Sequence, residues 1–235
     1  MLEELKKDLQ EEANPEQAKI LQRFFKTGAG EYGEGDVFLG IRVPVQRAIA
    51  KKYVGLNFPK LQELLDSKIH DHRMACLFIL IDKYKKADEE GKGDIFNFYL
   101  SNTANINNWD LVDISCYKIV GEFLLDKEKD VLYKLAESKD LWEKRIAMIS
   151  TFAFIRKEEF GDALAIAEIL LEDEHDLIHK AVGWMLREVG KKNLEVEEAW
   201  LQENGRYKKI PRTMLRYAIE KFEERKRKRY LKGEI

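Results

Sequence analysis

One phrase recurs along the chain: a charged residue, a small or branched one, then apolar residues at helical spacing. It reads Arg73-Met74-Ala75-Cys76-Leu77-Phe78-Ile79-Leu80, Asp110-Leu111-Val112-Asp113-Ile114, Arg145-Ile146-Ala147-Met148-Ile149, Lys180-Ala181-Val182-Gly183-Trp184 and, more faintly, Arg212-Thr213-Met214-Leu215. The phrases start 37, 35, 35 and 32 residues apart. That period fits two antiparallel helices of roughly 12 to 15 residues with short loops, so the chain reads as stacked helix pairs.

In each pair the second helix is apolar on nearly all sides, Ala75 to Ile81 being unbroken, and belongs inside the stack. The preceding helix is amphipathic. Phe58, Leu61, Leu64 and Leu65 recur at spacings of three and four, as do Ile95, Phe96, Phe98 and Tyr99, then Val131, Leu132 and Leu135, then Leu164, Ala167, Leu170 and Leu171. Pro15, Pro44 and Pro211 sit where helices begin, and turn residues fall at Gly55 to Asn57, Glu89 to Gly93 and Glu203 to Gly205. No linker interrupts the pattern, which predicts an all-α single domain over residues 1–235.

Composition narrows the class. Of 235 residues, 45% are hydrophobic and 36% charged, which excludes a disordered chain. No window holds 18 uncharged apolar residues, and the acidic start, Met1-Leu2-Glu3-Glu4-Leu5, is not that of a signal peptide, so a cytoplasmic protein is expected. Cys76 and Cys116 lie inside apolar helical patterns and read as buried, reduced thiols. The formal net charge of −2 hides a segregation: residues 206–235 hold 12 Lys and Arg against 4 Asp and Glu. Such a basic end engages phosphates or forms a solvated helix terminus.

Several motifs promise little chemistry. Gly28 to Gly33 is a literal G-x-G-x-x-G, but a helical pattern precedes it, and Glu31 and Glu34 repel a pyrophosphate; it reads as a surface loop. His175 and His179 share one turn without a plausible third ligand, and His70 and His72 share no helical face. No metal or cofactor is expected.

Two clusters promise more. Trp109 and Asp113, four apart, share one helical face, and an aromatic face beside a carboxylate favours a developing cation. Equally, Asp110 caps the helix, Trp109 packs into the loop and Asp113 pairs with a basic residue of a neighbouring repeat. Lys180, Trp184 and Arg187 occupy one face of a later helix, either as a phosphate-binding, stacking surface or as a core Trp with snorkelling cations. Stacked repeats would bring Asp113, Arg145, Lys180, Trp184 and Arg187 to one concave groove.

At these residues the chain resembles the AlkD-type DNA alkylation repair glycosylases, built from HEAT-like repeats. The resemblance runs from Phe38-Leu39-Gly40-Ile41-Arg42-Val43-Pro44 through Asn108-Trp109-Asp110-Leu111-Val112-Asp113 and Leu141-Trp142-Glu143-Lys144-Arg145 to Lys180-Ala181-Val182-Gly183-Trp184-Met185-Leu186-Arg187-Glu188. It implies a right-handed superhelical solenoid of about six HEAT-like helix pairs that acts as a monomer on double-stranded DNA containing alkylated purines. It further implies a monofunctional glycosylase releasing 3-methyladenine and 7-methylguanine, with Trp109, Asp113 and Trp184 as catalytic residues. Arg145, Arg187, Lys180, Arg47 and Phe24 are then the DNA-binding ones. Phe24 stands where the best-known member has a tyrosine, Arg42 where a glutamine is expected, and the Gly-rich loop is longer. The competing reading is a non-catalytic helical-repeat module that binds DNA or a protein partner through the same groove.

Overall fold

A computed structural model describes all residues, 1–235, and is all-helical, with one isolated β-bridge between Val37 and Ile69. The chain packs as two compact units, Met1–Ser115 and Cys116–Ile235.

The first unit contains α1 (Leu2–Glu11), α2 (Pro15–Phe24), α3 (Val43–Lys52), α4 (Phe58–Leu65), α5 (His70–Tyr84) and α6 (Glu89–Leu100), and α7 (Trp109–Cys116) runs across its end. Short polar side chains start the helices: Asn14 accepts from Gln17 N at 3.0 Å, Asn57 from Lys60 N at 3.3 Å and Asp88 from Gly91 N at 2.9 Å. Helix α5 is the axis of the unit, packing on α1, α3, α4 and α6. Leu77, Phe78, Ile79 and Leu80 are essentially inaccessible, each contributing about 1.5–3 kcal/mol of burial.

The apolar stretch anticipated from Ala75 is extended backwards by four polar residues. His70, Asp71, His72 and Arg73 are all buried in the first turn of α5. Groups of that polarity enter a core only with partners, and theirs come from distant segments.

The second unit begins with a π-helical turn, Tyr117–Gly121, and continues as α8 (Asp130–Ala136), α9 (Leu141–Ser150), α10 (Phe152–Arg156), α11 (Gly161–Ile169) and α12 (Asp176–Lys192). It ends with α13 (Leu194–Gln202), α14 (Arg206–Lys209), α15 (Arg212–Ala218) and α16 (Glu224–Lys232). Helix α12 packs on α9, α10, α11, α13 and α15. Gly183 lets α15 approach, because a Cβ there would collide with the Met214 carbonyl and Tyr217 Cβ. The helices carrying the recurring phrase are α5, α7, α9, α12 and α15, each following a shorter or equally short helical segment, which accounts for the spacing near 35 residues. Cys76 and Cys116 are buried and form no disulfide, and burial pushes the Cys76 thiol well up.

Candidate functional site

Helix α2 ends at Phe24 and feeds a loop that folds back along α5. Gly40, at φ +83°, lets this loop cross the start of α2, since a Cβ would strike Asn14 and Ala18. Two phenylalanines of the loop build an aromatic column. Phe38 stacks on the His70 ring at 4.3 Å, Phe25 on Phe38 at 5.0 Å and Trp109 on Phe25 at 5.0 Å. Phe24 meets Phe25 and Trp109 edge-on at 5.1 and 6.0 Å while remaining 61% exposed.

A polar chain runs beside the column. Arg73 Nη2 donates to Asp36 Oδ1 at 2.7 Å, His70 Nδ1 lies 3.2 Å from Asp36 Oδ2, and His70 Nε2 lies 2.9 Å from Asp110 Oδ2. Burial opposes a charged imidazole, but the Asp110 carboxylate and the hydrogen bonds to Asp110 and Asp36 outweigh it and raise the His70 pKa to about 9. Both ring nitrogens therefore donate at neutral pH. Asp36 is held below the usual carboxylate range: burial works against its charge, and His70 and Arg73 overcome that. Asp71 fastens the loop separately, accepting from Leu39 N at 2.7 Å, Ile41 N at 3.3 Å and Gln46 Nε2 at 2.9 Å.

Between α2, this loop, α3 and α5 lies a cavity of about 400 Å³, with walls that include Leu21, Phe25, Phe38, Ile41 and Met74. Asp110, anticipated as a cap, stands in the first turn of α7, where it accepts from Leu111 N at 2.8 Å and holds His70. The side chain of Asn108 takes the Trp109 amide. This network was missed because its members are 34 to 40 residues apart; the one local signal was the run of four polar residues heading an apolar helix.

Trp109 opens α7, and Asp113 follows one turn later, half-buried. Phe24 and Trp109 are brought together, whereas Arg47, exposed on α3, sets its guanidinium 4.3 Å from the Phe78 ring centre. In the second unit Lys180, Trp184 and Arg187 share α12. Trp184 Nε1 donates to Glu188 at 3.1 Å, Lys180 pairs with Asp176 at 2.7 Å, and Arg187 is bonded to Glu220 and lies 3.4 Å from Glu188. The Arg187 Nε–H is buried without an acceptor. Arg145, on α9, is only 5% exposed and donates to the Leu177 carbonyl at 2.5 Å, tying α9 to the start of α12.

The Gly-rich loop fills its own amide donors. Glu31 accepts from Gly28 N at 3.0 Å and Glu34 from Gly30 N at 2.8 Å. No group of three His, Cys, Asp or Glu side chains is arranged to hold a metal, and no helix is long and apolar enough to cross a membrane.

The class so defined is an all-helical protein of successive helix pairs, with an aromatic and carboxylate-bearing site in its N-terminal unit. The chain belongs to the DNA alkylation repair enzyme family, whose model matches residues 5–222. Its fold is similar to that of a predicted DNA alkylation repair enzyme from Enterococcus faecalis, at a TM-score of 0.69 and 17% identity over 91% of this chain and 98% of that one. It is also similar to AlkD2 from Streptococcus mutans, at 0.54 and 18% over 89% of this chain and 98% of the other, and to smu.31 from Streptococcus mutans UA159, at 0.54 and 18% over 88% and 98%. No curated protein matches the chain by sequence.

Proposed function

We propose that the protein is a monofunctional DNA glycosylase that hydrolyses the N-glycosidic bond of cationic alkylated purines, 3-methyladenine and 7-methylguanine, in double-stranded DNA. The observation that carries this reading is the pairing of Trp109 with Asp113 on one face of α7, in a chain of the alkylation repair family.

Alkylation at N3 or N7 gives the purine a positive charge, so the base departs neutral and the sugar acquires oxocarbenium character. A strong general acid is unnecessary. Asp113, as a carboxylate, stabilises the sugar cation and orients the attacking water, while the ring faces of Trp109 and Trp184 contact the deoxyribose. Arg145, Arg187, Lys180 and Arg47 bind backbone phosphates, and Phe24 meets the duplex beside Trp109. The chemistry calls for no metal or cofactor.

The test is release of free bases from methylated duplex by the purified chain. Asp113→Asn should leave DNA affinity nearly unchanged while cutting 7-methylguanine release by about 10-fold or more; undiminished release removes Asp113 from the mechanism. The alternative is a non-catalytic module that binds DNA or a protein partner through the same groove. Salt-dependent binding of alkylated duplex without base release would establish that reading.

A further inference from the structure

The last helix is more basic than its own stability requires. α16 carries six Lys and Arg against one Glu, and it lies wholly beyond residue 222, where the match to the family ends. One side of it is seated on the second unit. Tyr230 is buried between the rings of Tyr207 and Phe222, its hydroxyl donates to Glu198 of α13 at 3.1 Å, and Lys226 pairs with the same Glu198 at 2.8 Å. At 3.6 residues per turn, Arg225, Lys228, Arg229 and Lys232 fall together within an arc of about 100° on the side away from Tyr230 and Leu231. All four are exposed.

Helix stability does not account for this face. Its members stand three or four residues apart, so like charges adjoin along the helix and destabilise it. Arg225 lies in the first turn, where the helix dipole disfavours a cation. Neutralisation from within the chain is slight. Arg225 forms no ion pair, and Arg229 donates to the Glu234 carbonyl at 3.0 Å, which carries no net charge. Lys228 lies 3.4 Å from Glu224 and Lys232 lies 4.0 Å from Glu234, both exposed pairs of little strength. The segment before α16 widens the patch: Arg212 donates to the Leu231 carbonyl at 2.9 Å, and the Lys208 side chain reaches the turn at Gly233.

We propose that this face of α16 grips backbone phosphates of double-stranded DNA, as a contact additional to those assigned to Arg47, Arg145, Lys180 and Arg187. The proposal rests on the reading of duplex DNA as the substrate. Four cations over three turns span about 10 Å, and a duplex presents a negative charge every 1.7 Å or so of its axis, so the face meets several phosphates at once. The two arginines bind them through charge-assisted, bidentate contacts. An anionic membrane suits the face less well, because an interfacial helix needs apolar side chains beside its cations, and Tyr230 is buried in the protein while the exposed arc holds none.

The test is duplex binding by the full chain across a salt series, with Arg225→Ala, Lys228→Ala and Lys232→Ala combined in one variant. Alanine keeps the helix and relieves its repulsion, so the melting temperature should not fall. Affinity should drop about 10-fold or more, and the slope of log affinity against log salt should shrink by about 2 to 3. Arg225→Ala alone should shrink it by about 1. Release of 7-methylguanine should keep its kcat and show a raised KM, since α16 holds no reacting group. An equal charge change at Lys86, Lys134 and Lys157, also exposed, should leave the slope unchanged; a loss as large there would mean that net charge, not this face, sets the affinity and would overturn the proposal. So would phosphatidylserine vesicles whose binding the triple variant abolishes while its duplex binding stays intact. Base release with an unchanged slope in the triple variant removes the α16 contact and keeps the glycosylase; a reduced slope in a chain that releases no base does the reverse.

Discussion

His70 Nε2 and Asp110 Oδ2 lie 2.9 Å apart, and through this bond the first turn of α7 is fastened to the first turn of α5. The ring's other nitrogen reaches Asp36, itself paired with Arg73. Trp109 is the immediate neighbour of Asp110 and completes the aromatic stack over His70, so the indole is held by packing on one side and by this charged clamp on the other.

The clamp makes stability depend on pH. The His70 pKa is about 9 in the folded chain against an ordinary 6.5, so between these values the folded state holds a proton that the unfolded state has released. Its contribution is complete below about pH 6.5 and is lost as pH rises through about 9, amounting to about 3 kcal/mol at most. Urea unfolding at pH 6, 7.5 and 9.5 should show the fall, and His70→Gln should flatten it while lowering stability at pH 6. An unchanged slope in His70→Gln would place the titration elsewhere.

A second raised group, in the other unit, acts with the same sign. Glu197 is 1% exposed against Gly190 of α12, its Oε1 has no partner, and burial, with the nearby Glu198 charge, raises its pKa to about 9 despite Arg187. Above pH 4.5 the unfolded chain loses this proton and the folded chain does not, so the group penalises folding as pH rises toward 9. Glu197→Met should therefore stabilise the protein at pH 7.5 by about 1–3 kcal/mol, with the gain shrinking toward pH 4. Chemical denaturation of the Glu197→Met variant beside the unaltered chain across this range checks it.

The helix pairs were legible because burial repeats locally: an apolar phrase every 35 residues or so marks α5, α9 and α12, and Asn14, Asn57 and Pro44 mark helix starts. In the Gly-rich loop, Glu31 and Glu34 accept from the Gly28 and Gly30 amides. The clamp was not legible. His70 and Arg73 look like surface residues until Asp36 and Asp110, 34 to 40 residues away, neutralise them, and no local periodicity encodes such a pairing. The carbonyl partner of Arg145, Leu177, likewise comes from the next helix pair, out of reach of local periodicity.

Close helix contact in the second unit depends on one missing side chain. Gly183 faces the Met214 carbonyl and Tyr217 Cβ across the contact between α12 and α15. Gly183→Ala gains helix propensity of about 1 kcal/mol, but the methyl group must push backbone aside, and overpacking of this kind costs about 1–3 kcal/mol. The melting temperature should fall; a rise would show that α15 yields freely.

If Arg187 binds a backbone phosphate as proposed, Glu220 is its competitor. Its carboxylate is bonded to Arg187 Nη1 and lies 3.0 Å from Lys221 Nζ, and the two cations together hold its pKa below the usual range, so it stays ionised at neutral pH. A phosphate reaching Arg187 must displace it. Removing the competitor should therefore strengthen binding: Glu220→Gln is expected to raise duplex affinity several-fold at low salt, whereas Arg187→Ala should lower affinity and reduce the salt slope by about 1, the signature of one lost phosphate contact. Fluorescence anisotropy with a labelled duplex between 50 and 200 mM salt separates the two effects. If Glu220→Gln leaves affinity unchanged while Arg187→Ala lowers it, Arg187 supports the fold around Glu188 rather than gripping the backbone.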